Sequence, residues 1–369
     1  MRVFFYVQHL LGIGHLKRAD TLARALRAEG FEVVLASGGP SVAGMPADVQ
    51  LPSLRALDLT FKKLVDEAGA TIDDAWKRRR AATLIDAWRA ACADVLIVEL
   101  FPFGRRQMRF ELVPLLEDAQ RVKPRPLVVC SVRDLIQPKP DREPEILELA
   151  ERYFDRVLVH GDPRVARLER TFSLAARLGD KLQYTGYVVG EPQRAHGEGR
   201  AEVLVSAGGG MVGRKLLETA MKARGQTLLR SATWRVLAGV NCSAADFRAL
   251  EREAGVGVVL ERSRDDFASL LANCALSISQ AGYNTVAEIL KARVRSVLVP
   301  FAGGGESEQT LRARLLADRG AVEVVEEAAL SVDSLAFAVD RAVRREPPPN
   351  AVDLDGGRRT AELLRQWRS

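Results

Sequence analysis

Residues able to move a proton or hold an anion are not spread evenly along this chain of 369 residues. Three of its four histidines, His9, His15 and His160, close or follow short apolar runs that read as buried strands, Val3 to Val7 and Arg156 to His160. The fourth, His196, falls in a polar connector. His15 stands between Gly14 and the start of a helical pattern, so its ring and the backbone N–H groups of a helix start can face one ligand. A neutral imidazole takes a proton from a hydroxyl at pH 7, which makes His15 the candidate general base; the plain alternative is a helix cap. For His9 and His160 the competing reading is a core or loop-anchoring histidine. Glu99, delivered by the strand Val95 to Val98, is a second candidate base, set against a salt bridge with Arg105 or Arg106. Those two arginines are themselves candidates for an anionic acceptor group.

The loop Gly12-Ile13-Gly14 starts like a dinucleotide fingerprint, but Lys17 stands where the third glycine belongs. The next strand ends in Ala36-Ser37-Gly38-Gly39 without a ribose-binding acid, which argues against NAD. Ser206-Ala207-Gly208-Gly209-Gly210 is a better phosphate cradle. Small residues let backbone amides approach an oxyanion, and a helix N terminus adds about 0.3–1 kcal/mol. It lacks the Gly-Lys-Ser/Thr ending of a Walker loop, and a tight strand–helix turn is the alternative. The run Ser279-Gln280-Ala281-Gly282-Tyr283-Asn284-Thr285-Val286-Ala287-Glu288 also joins a strand to a helix through glycine. Glu288 could accept two hydrogen bonds from a vicinal diol, each charge-assisted bond worth about 1.5–3 kcal/mol. A capping box of Thr285 and Glu288 competes with that reading. A further strand ends at Pro300, and the polar loop Phe301 to Gln309, with Glu308, aims at the same place.

The elements that must position these residues alternate. Strands are expected at Val3–Val7, Phe31–Ala36, Val95–Val98, Leu127–Ser131 and Arg156–His160, with amphipathic helices between. The pattern restarts with Glu202–Ser206, Trp234–Ala238, Val256–Leu260, Ala275–Ser279 and Val297–Pro300. Such alternation means α/β architecture, with parallel sheets covered on both faces. The expected division is an N-terminal domain over 1–187, a linker over 188–200, a C-terminal domain over 201–346, and a tail with a last helix over 347–369. Two doubly wound domains joined once leave a cleft, and ligands sit beyond the carboxyl ends of their strands.

Composition sets the class. With 47% hydrophobic and 28% charged residues the chain reads as globular, and no apolar run approaches the roughly 18 residues that span a bilayer. The first apolar run meets Gln8 and His9 too early for a signal peptide, which points to a cytoplasmic chain. A net charge of +6 suits phosphorylated small molecules or an anionic membrane surface, and no nucleic-acid module is present. Cys92, Cys130, Cys242 and Cys274 have no metal-ligand spacing and read as reduced, mostly buried thiols. The run Lys77-Arg78-Arg79-Arg80, with Lys62-Lys63 upstream, is a solvated helix face or a contact for anionic lipid. Asp353-Leu354-Asp355 is better explained as a cap for the last helix than as a metal site.

The run from Ser279 to Glu288, followed by Pro300 and Gln309, resembles the C-terminal signature of MurG-like glycosyltransferases of the GT-B fold. The opening Gly14-His15-Leu16-Lys17-Arg18 is similar to that of nucleotide-sugar hydrolases of pseudaminic acid synthesis. The resemblance implies two Rossmann-like domains facing a cleft, with the C-terminal helix crossing back to the first. It implies a nucleoside diphosphate sugar, UDP-linked, as co-substrate, with no resident cofactor and no metal. Glu288 would grip the ribose diol; Gly14, Ser206, Gly208, Gly209 and Gly210 would line the diphosphate, and Ser279, Gly282, Tyr283, Asn284 and Thr285 the phosphates. Glu308 and Gln309 would touch the donor sugar, and the backbone around Leu260 to Arg262 would read the base. Several relatives carry His-Gln or Gln-Gln at Glu308-Gln309, which leaves the sugar open. The acceptor would be a saccharide or lipid-linked saccharide near His9, Arg105, Arg106 and His160, with peripheral membrane contact in the lipid-linked case. A hydrolase of the same fold and a non-catalytic nucleotide-sugar binder are the alternatives.

Overall fold

Runs of β-branched and aromatic residues separated by amphipathic helices can bury themselves only in a sheet covered on both faces. The computed structural model describes residues 1–369 apart from 59, 60, 62, 192–196, 210, 211, 348–351 and 369. The chain divides into two units, residues 1–189 with 353–369, and residues 190–352.

In the first unit β1 (Arg2–Val7) leads into α1 (Gly14–Ala28), then β2 (Glu32–Ser37), β3 (Val49–Gln50), β4 (Arg55–Ala56), β5 (Leu64–Val65) and α2 (Asp74–Ala91). There follow β6 (Val95–Glu99), α3 (Arg109–Arg121), β7 (Leu127–Arg133), α4 (Glu143–Tyr153), β8 (Arg156–His160) and β9 (Leu182–Tyr184). Apart from the separate antiparallel pair β4–β5, these strands form one sheet in the order β3-β2-β1-β6-β7-β8-β9. Every pairing within it is parallel. Side chains of β1 alternate between its two faces. Val3, Phe5 and Val7 pack with Leu16, Leu22 and Leu26 of α1, and Phe4 and Tyr6 pack with Leu84 and Trp88 of α2. The order places β1 beside β6, with β2 on the far side of β1. The connections after β1 and β6 therefore diverge, and their carboxyl ends open a crevice.

The second unit repeats the plan. It runs β10 (Val203–Ser206), α5 (Arg214–Ala223), β11 (Trp234–Leu237), α6 (Ala244–Glu253), β12 (Val258–Glu261) and α7 (Phe267–Asn273). Then come β13 (Leu276–Ser279), α8 (Tyr283–Ala292), β14 (Ser296–Leu298), α9 (Glu308–Ala317), β15 (Glu323–Val324) and α10 (Val332–Arg344). The sheet order, β12-β11-β10-β13-β14-β15, is again all parallel and reverses direction between β10 and β13.

The last helix, α11 (Gly356–Arg368), belongs to the first unit. Its Ala361, Leu363 and Leu364 enter the cluster formed by β1 and α1. Arg365 closes the contact by reaching the Glu29 backbone and carboxylate at the end of α1. Gly357 is required there, because a Cβ would stand 2.5 Å from that of Ala25.

Several expectations change. Val188, read as the start of a surface linker, is buried and bridges Asp355. Arg80, read as part of a solvated or lipid-facing run, is fully enclosed, whereas Arg78 and Arg79 are exposed. Of the four thiols, all free, only Cys130 is buried and Cys92 is exposed. Asp353 turns its carboxylate onto the Asp355 N–H just before α11. No helix among the described residues is long and apolar enough to cross a membrane.

Leu364 is fully buried between α11 and the sheet. Leu364→Ala should cost about 2–5 kcal/mol of stability, read as a lower urea midpoint; an unchanged midpoint would mean that α11 is not docked in solution.

Candidate active site

The carboxyl ends of β1, β6, β7 and β8 carry the polar cluster of the first unit. Glu99 ends β6 next to β1, at the point where the sheet changes direction, and is 1% exposed. Its Oε1 lies 3.0 Å from His15 Nδ1 and accepts from the Arg18 guanidinium. Spacing within α1 explains the second contact: His15 and Arg18, three residues apart, share one helix face. A carboxylate only accepts, so His15 carries its hydrogen on Nδ1 and keeps a lone pair on Nε2. Burial, together with the charges of Arg105, Arg133 and Arg18, holds the His15 pKa well below its ordinary value, so the ring is neutral near pH 7. This group can accept a proton from a hydroxyl, with Glu99 ready to stabilise the imidazolium that results.

A buried scaffold fixes the loop after β1. Gln8 donates to the carbonyls of His9 (2.7 Å) and Leu54 (3.0 Å) and accepts from Arg80 at 2.5 Å. Arg80 in turn bonds Glu111 at 2.6 Å, and Tyr6 donates to the same carboxylate. Both members of the Arg80–Glu111 pair are 0% exposed, and the pair is stabilising only because each has further hydrogen bonds.

The other candidates of this half separate. Among the described residues the ion-pair partners of Glu99 are His15 and Arg18 rather than Arg105 or Arg106, and its enclosure suits it to support His15. His160 is fully enclosed with both ring nitrogens bonded inside the protein, so it does not face an acceptor. His9 is also buried, its ring so close to Gly39 that a Cβ there would stand 2.4 Å away, and burial lowers its pKa to about 4. Neither is an acceptor contact. Arg105 fits that role better. It adopts a left-handed φ of 58°, its Nε donates to the Gln8 carbonyl at 2.8 Å, and burial beside Arg133 lowers its pKa to about 10. Arg106 is exposed one residue further on, and Gly14, at the start of α1, is exposed as well.

In the second unit Ser206 and Ser279 are register partners at the ends of β10 and β13, where that sheet changes direction. Ser206 Oγ accepts from the Gly208 N–H at 3.3 Å and holds the start of the glycine bend. Gly208 has φ +64°, and Gly213 has φ +129° with Ala207 so close that a Cβ would lie 2.6 Å from it. Gln280 ties the bend to the neighbouring strand by donating to the Val212 carbonyl at 3.2 Å. Gly210 lies outside the described residues. Helices α5 and α8 start just after the N-cap residues Gly213 and Gly282, with no side-chain cap among the described residues, the arrangement in which helix N termini face anions. Thr285 and Glu288 lie inside α8, so they form no capping box. The Ser279 hydroxyl is enclosed and has no hydrogen-bond partner among the described residues.

The remaining donor candidates divide. Tyr283 is 4% exposed, whereas Asn284, Thr285 and Glu288 are half-buried. Gln309 accepts from the Phe301 N–H at 3.2 Å, and Glu308 is 3% exposed, so both side chains are turned into the protein in this state. Arg262 stacks on Phe247, 4.4 Å from the ring centre, and donates to the Cys242 carbonyl. A groove of about 320 Å³ beside the glycine bend is lined by Ala207, Gly213, Lys215, Ala238, Cys242 and Phe301. Sequence reasoning missed Arg18, Ser131 and Gln280; Ser131 ends an expected strand, and the carboxyl-end rule applied there would have found it.

The glycosyltransferase family 28 C-terminal domain matches residues 256–354. Over 343 residues the chain is 27% identical to the UDP-N-acetylglucosamine–N-acetylmuramyl-(pentapeptide) pyrophosphoryl-undecaprenol N-acetylglucosamine transferase of Phenylobacterium zucineum, covering 89% of this chain and 86% of that one. The transferase of the same name from Paraburkholderia phymatum is 38% identical over 97 residues, 26% of each chain. Among solved structures, Acinetobacter baumannii MurG aligns with a TM-score of 0.59 at 16% identity over 99% of both chains. The calicheamicin glycosyltransferase CalG4 aligns with a TM-score of 0.60 at 15% identity, over 99% of this chain and 94% of that one. Residues 256–354 therefore carry a glycosyltransferase family 28 C-terminal domain, the fold is GT-B, and the chain is a glycosyltransferase similar to the MurG transferases.

Proposed function

We propose that this protein is an inverting, metal-independent transferase that moves a sugar from a UDP-sugar to an acceptor hydroxyl. The observation that carries the reading is the His15–Glu99 pair, a neutral imidazole tethered through Nδ1 at the direction change of the first sheet. His15 Nε2 takes the acceptor proton as the hydroxyl oxygen attacks the anomeric carbon; the bond from that carbon to the diphosphate oxygen breaks, with inversion. General-base help of this kind is worth about 10²–10⁴-fold. The glycine bend after β10 and the N terminus of α8 take up charge on the departing diphosphate, and Glu288 accepts from the ribose diol. The UDP-sugar named in the Phenylobacterium relative supports uridine as the base. The same relative's undecaprenol acceptor supports a lipid-linked saccharide here and peripheral attachment to the cytoplasmic face of a membrane. The charges acting on Arg105 are mainly Arg133, Arg18 and the single carboxylate of Glu99, an excess of cations that favours an acceptor bearing phosphate.

Glu288→Ala should weaken UDP about tenfold or more by calorimetry, as expected for a lost charge-assisted bond. His15→Ala should leave UDP affinity unchanged and lower turnover about 100-fold or more; normal turnover in that variant overturns the base assignment. Release of free sugar from donor alone, at the full rate, would instead make the enzyme a hydrolase.

The pH dependence has a definite sign. His15 works neutral and its pKa is depressed, so kcat/KM should stay flat from pH 8 down through 6.5 and fall only in more acid solution. A loss of kcat/KM already centred at pH 6.5 would show that the ring is not held neutral.

A further inference from the structure

Glu99 is gripped from its inner side as well. Its Oε2 accepts from the Ser131 hydroxyl at 2.7 Å. Ser131 Oγ lies 3.1 Å from His160 Nε2, and His160 Nδ1 lies 2.9 Å from Thr185 Oγ1. All four residues are at most 1% exposed, so water does not complete any of these bonds. Burial holds the His160 pKa down at about 3, leaving the ring neutral with one hydrogen to place.

Counting hydrogens fixes the direction of the chain. A carboxylate oxygen only accepts, so the one hydrogen of Ser131 goes to Glu99 and its oxygen must accept from His160. Nε2 of His160 therefore carries the hydrogen, and its Nδ1 is an acceptor facing the Thr185 hydroxyl, whose one hydrogen it shares with the Gly186 carbonyl 2.9 Å away. In the opposite tautomer Nε2 would take the Ser131 hydrogen, and the serine would face Glu99 with a lone pair at 2.7 Å. The far end of the chain is equally well held. Thr185 adjoins Gly186, which has φ +83° and packs so closely on Asp353 that a Cβ would stand 2.4 Å from its carboxylate. The Tyr187 N–H donates to the Asp353 carbonyl at 2.8 Å.

We propose that Ser131 and His160 are positioning residues for catalysis: the chain Thr185–His160–Ser131 pins the inner oxygen of Glu99, so that its outer oxygen keeps the hydrogen of His15 on Nδ1 and the basic lone pair on Nε2. The proposal rests on His15 being the general base, and no proton travels along the chain. The groups facing His15 are Arg18 from α1, Arg105 from the loop after β6, Arg133 at the end of β7, His9 after β1, and Glu99 itself. Three of these are fixed cations that resist protonation of the ring, so Glu99 must be held in place for imidazolium to form during turnover.

The test uses the full-length enzyme with Ser131→Ala, His160→Leu and His160→Gln. Gln keeps an N–H donor near the position of Nε2, whereas Leu keeps only bulk. Ring ¹⁵N spectra are tractable because the chain has four histidines. In the parent, His15 should be the Nδ1–H tautomer. Ser131→Ala and His160→Leu should shift it to a mixture, lower kcat about 10–100-fold, a range borrowed from outer-shell partners of metal-bound histidines, and leave the donor KM and UDP affinity unchanged. The acid limb of the kcat/KM profile should move in the same two variants. His160→Gln should restore the tautomer and most of kcat. Should His160→Leu fail to fold, Thr185→Val, which removes the hydroxyl beside Nδ1 at equal volume, should shift the tautomer in the same direction. An unchanged His15 tautomer and kcat in folded Ser131→Ala overturns the proposal. Normal turnover in His15→Ala would instead sink the base assignment, and the tautomer measurement, which needs no turnover, still judges the chain.

Discussion

The placement of Glu99, Ser206 and Ser279 depends on where each parallel sheet reverses its direction of winding. A strand in the middle of a parallel sheet has neighbours on both sides, and the connection that follows it can pass to only one of them. Between β1 and β6, and again between β10 and β13, adjacent strands send their connections opposite ways. Backbone amides and polar side chains there are not covered by a crossing loop. Glu99 beside β1, and Ser206 beside Ser279, occupy those two places. Hydrophobic packing of β1 between α1 and α2 holds the geometry, so the chemistry borrows its precision from the core rather than from the loops.

The two places are built differently. In the second unit the candidate groups are mostly main-chain: a bend with Gly208 and Gly213 in left-handed conformations and two helix starts without side-chain caps among the described residues. Such a surface recognises an oxyanion by direction and costs little reorganisation. In the first unit the groups are ionisable side chains, and the difficulty is to bury them without leaving a charge alone. Arg80 and Glu111 manage this through a closed set of partners, with Gln8 and Tyr6 completing the lone pairs and hydrogens. Around His15 burial comes first, and an excess of cations over carboxylates adds to it, so the ring is kept neutral.

Much of this was legible in the sequence because the signals are local. Alternating apolar runs and helices gave the α/β architecture, and strand–glycine–helix junctions marked the bend at Ser206 and the start of α8. The edge strands β3 and β15, of two residues each, are too short to show any period. What was not legible is pairing at a distance. Glu99 meets His15 across 84 positions of sequence, and no pattern around either residue announces the other. Arg80 sits in a basic run whose default place is solvent, yet Glu111 and Gln8, 31 and 72 positions away, draw it inside. His160 and Ser131 were separate observations until adjacent strands set them side by side.

The return of α11 has a consequence for biosynthesis. Residues 190–352 form a contiguous stretch that includes every strand of the second sheet, whereas the other unit is completed only by residues 353–369. A ribosome moving along this message thus finishes the interior unit while the apolar flank of α1 is still waiting for its cover. Completion of the half that bears His15 is postponed until the helix over 356–368 emerges, so a translation product interrupted before it lacks the Ala361, Leu363 and Leu364 layer over α1.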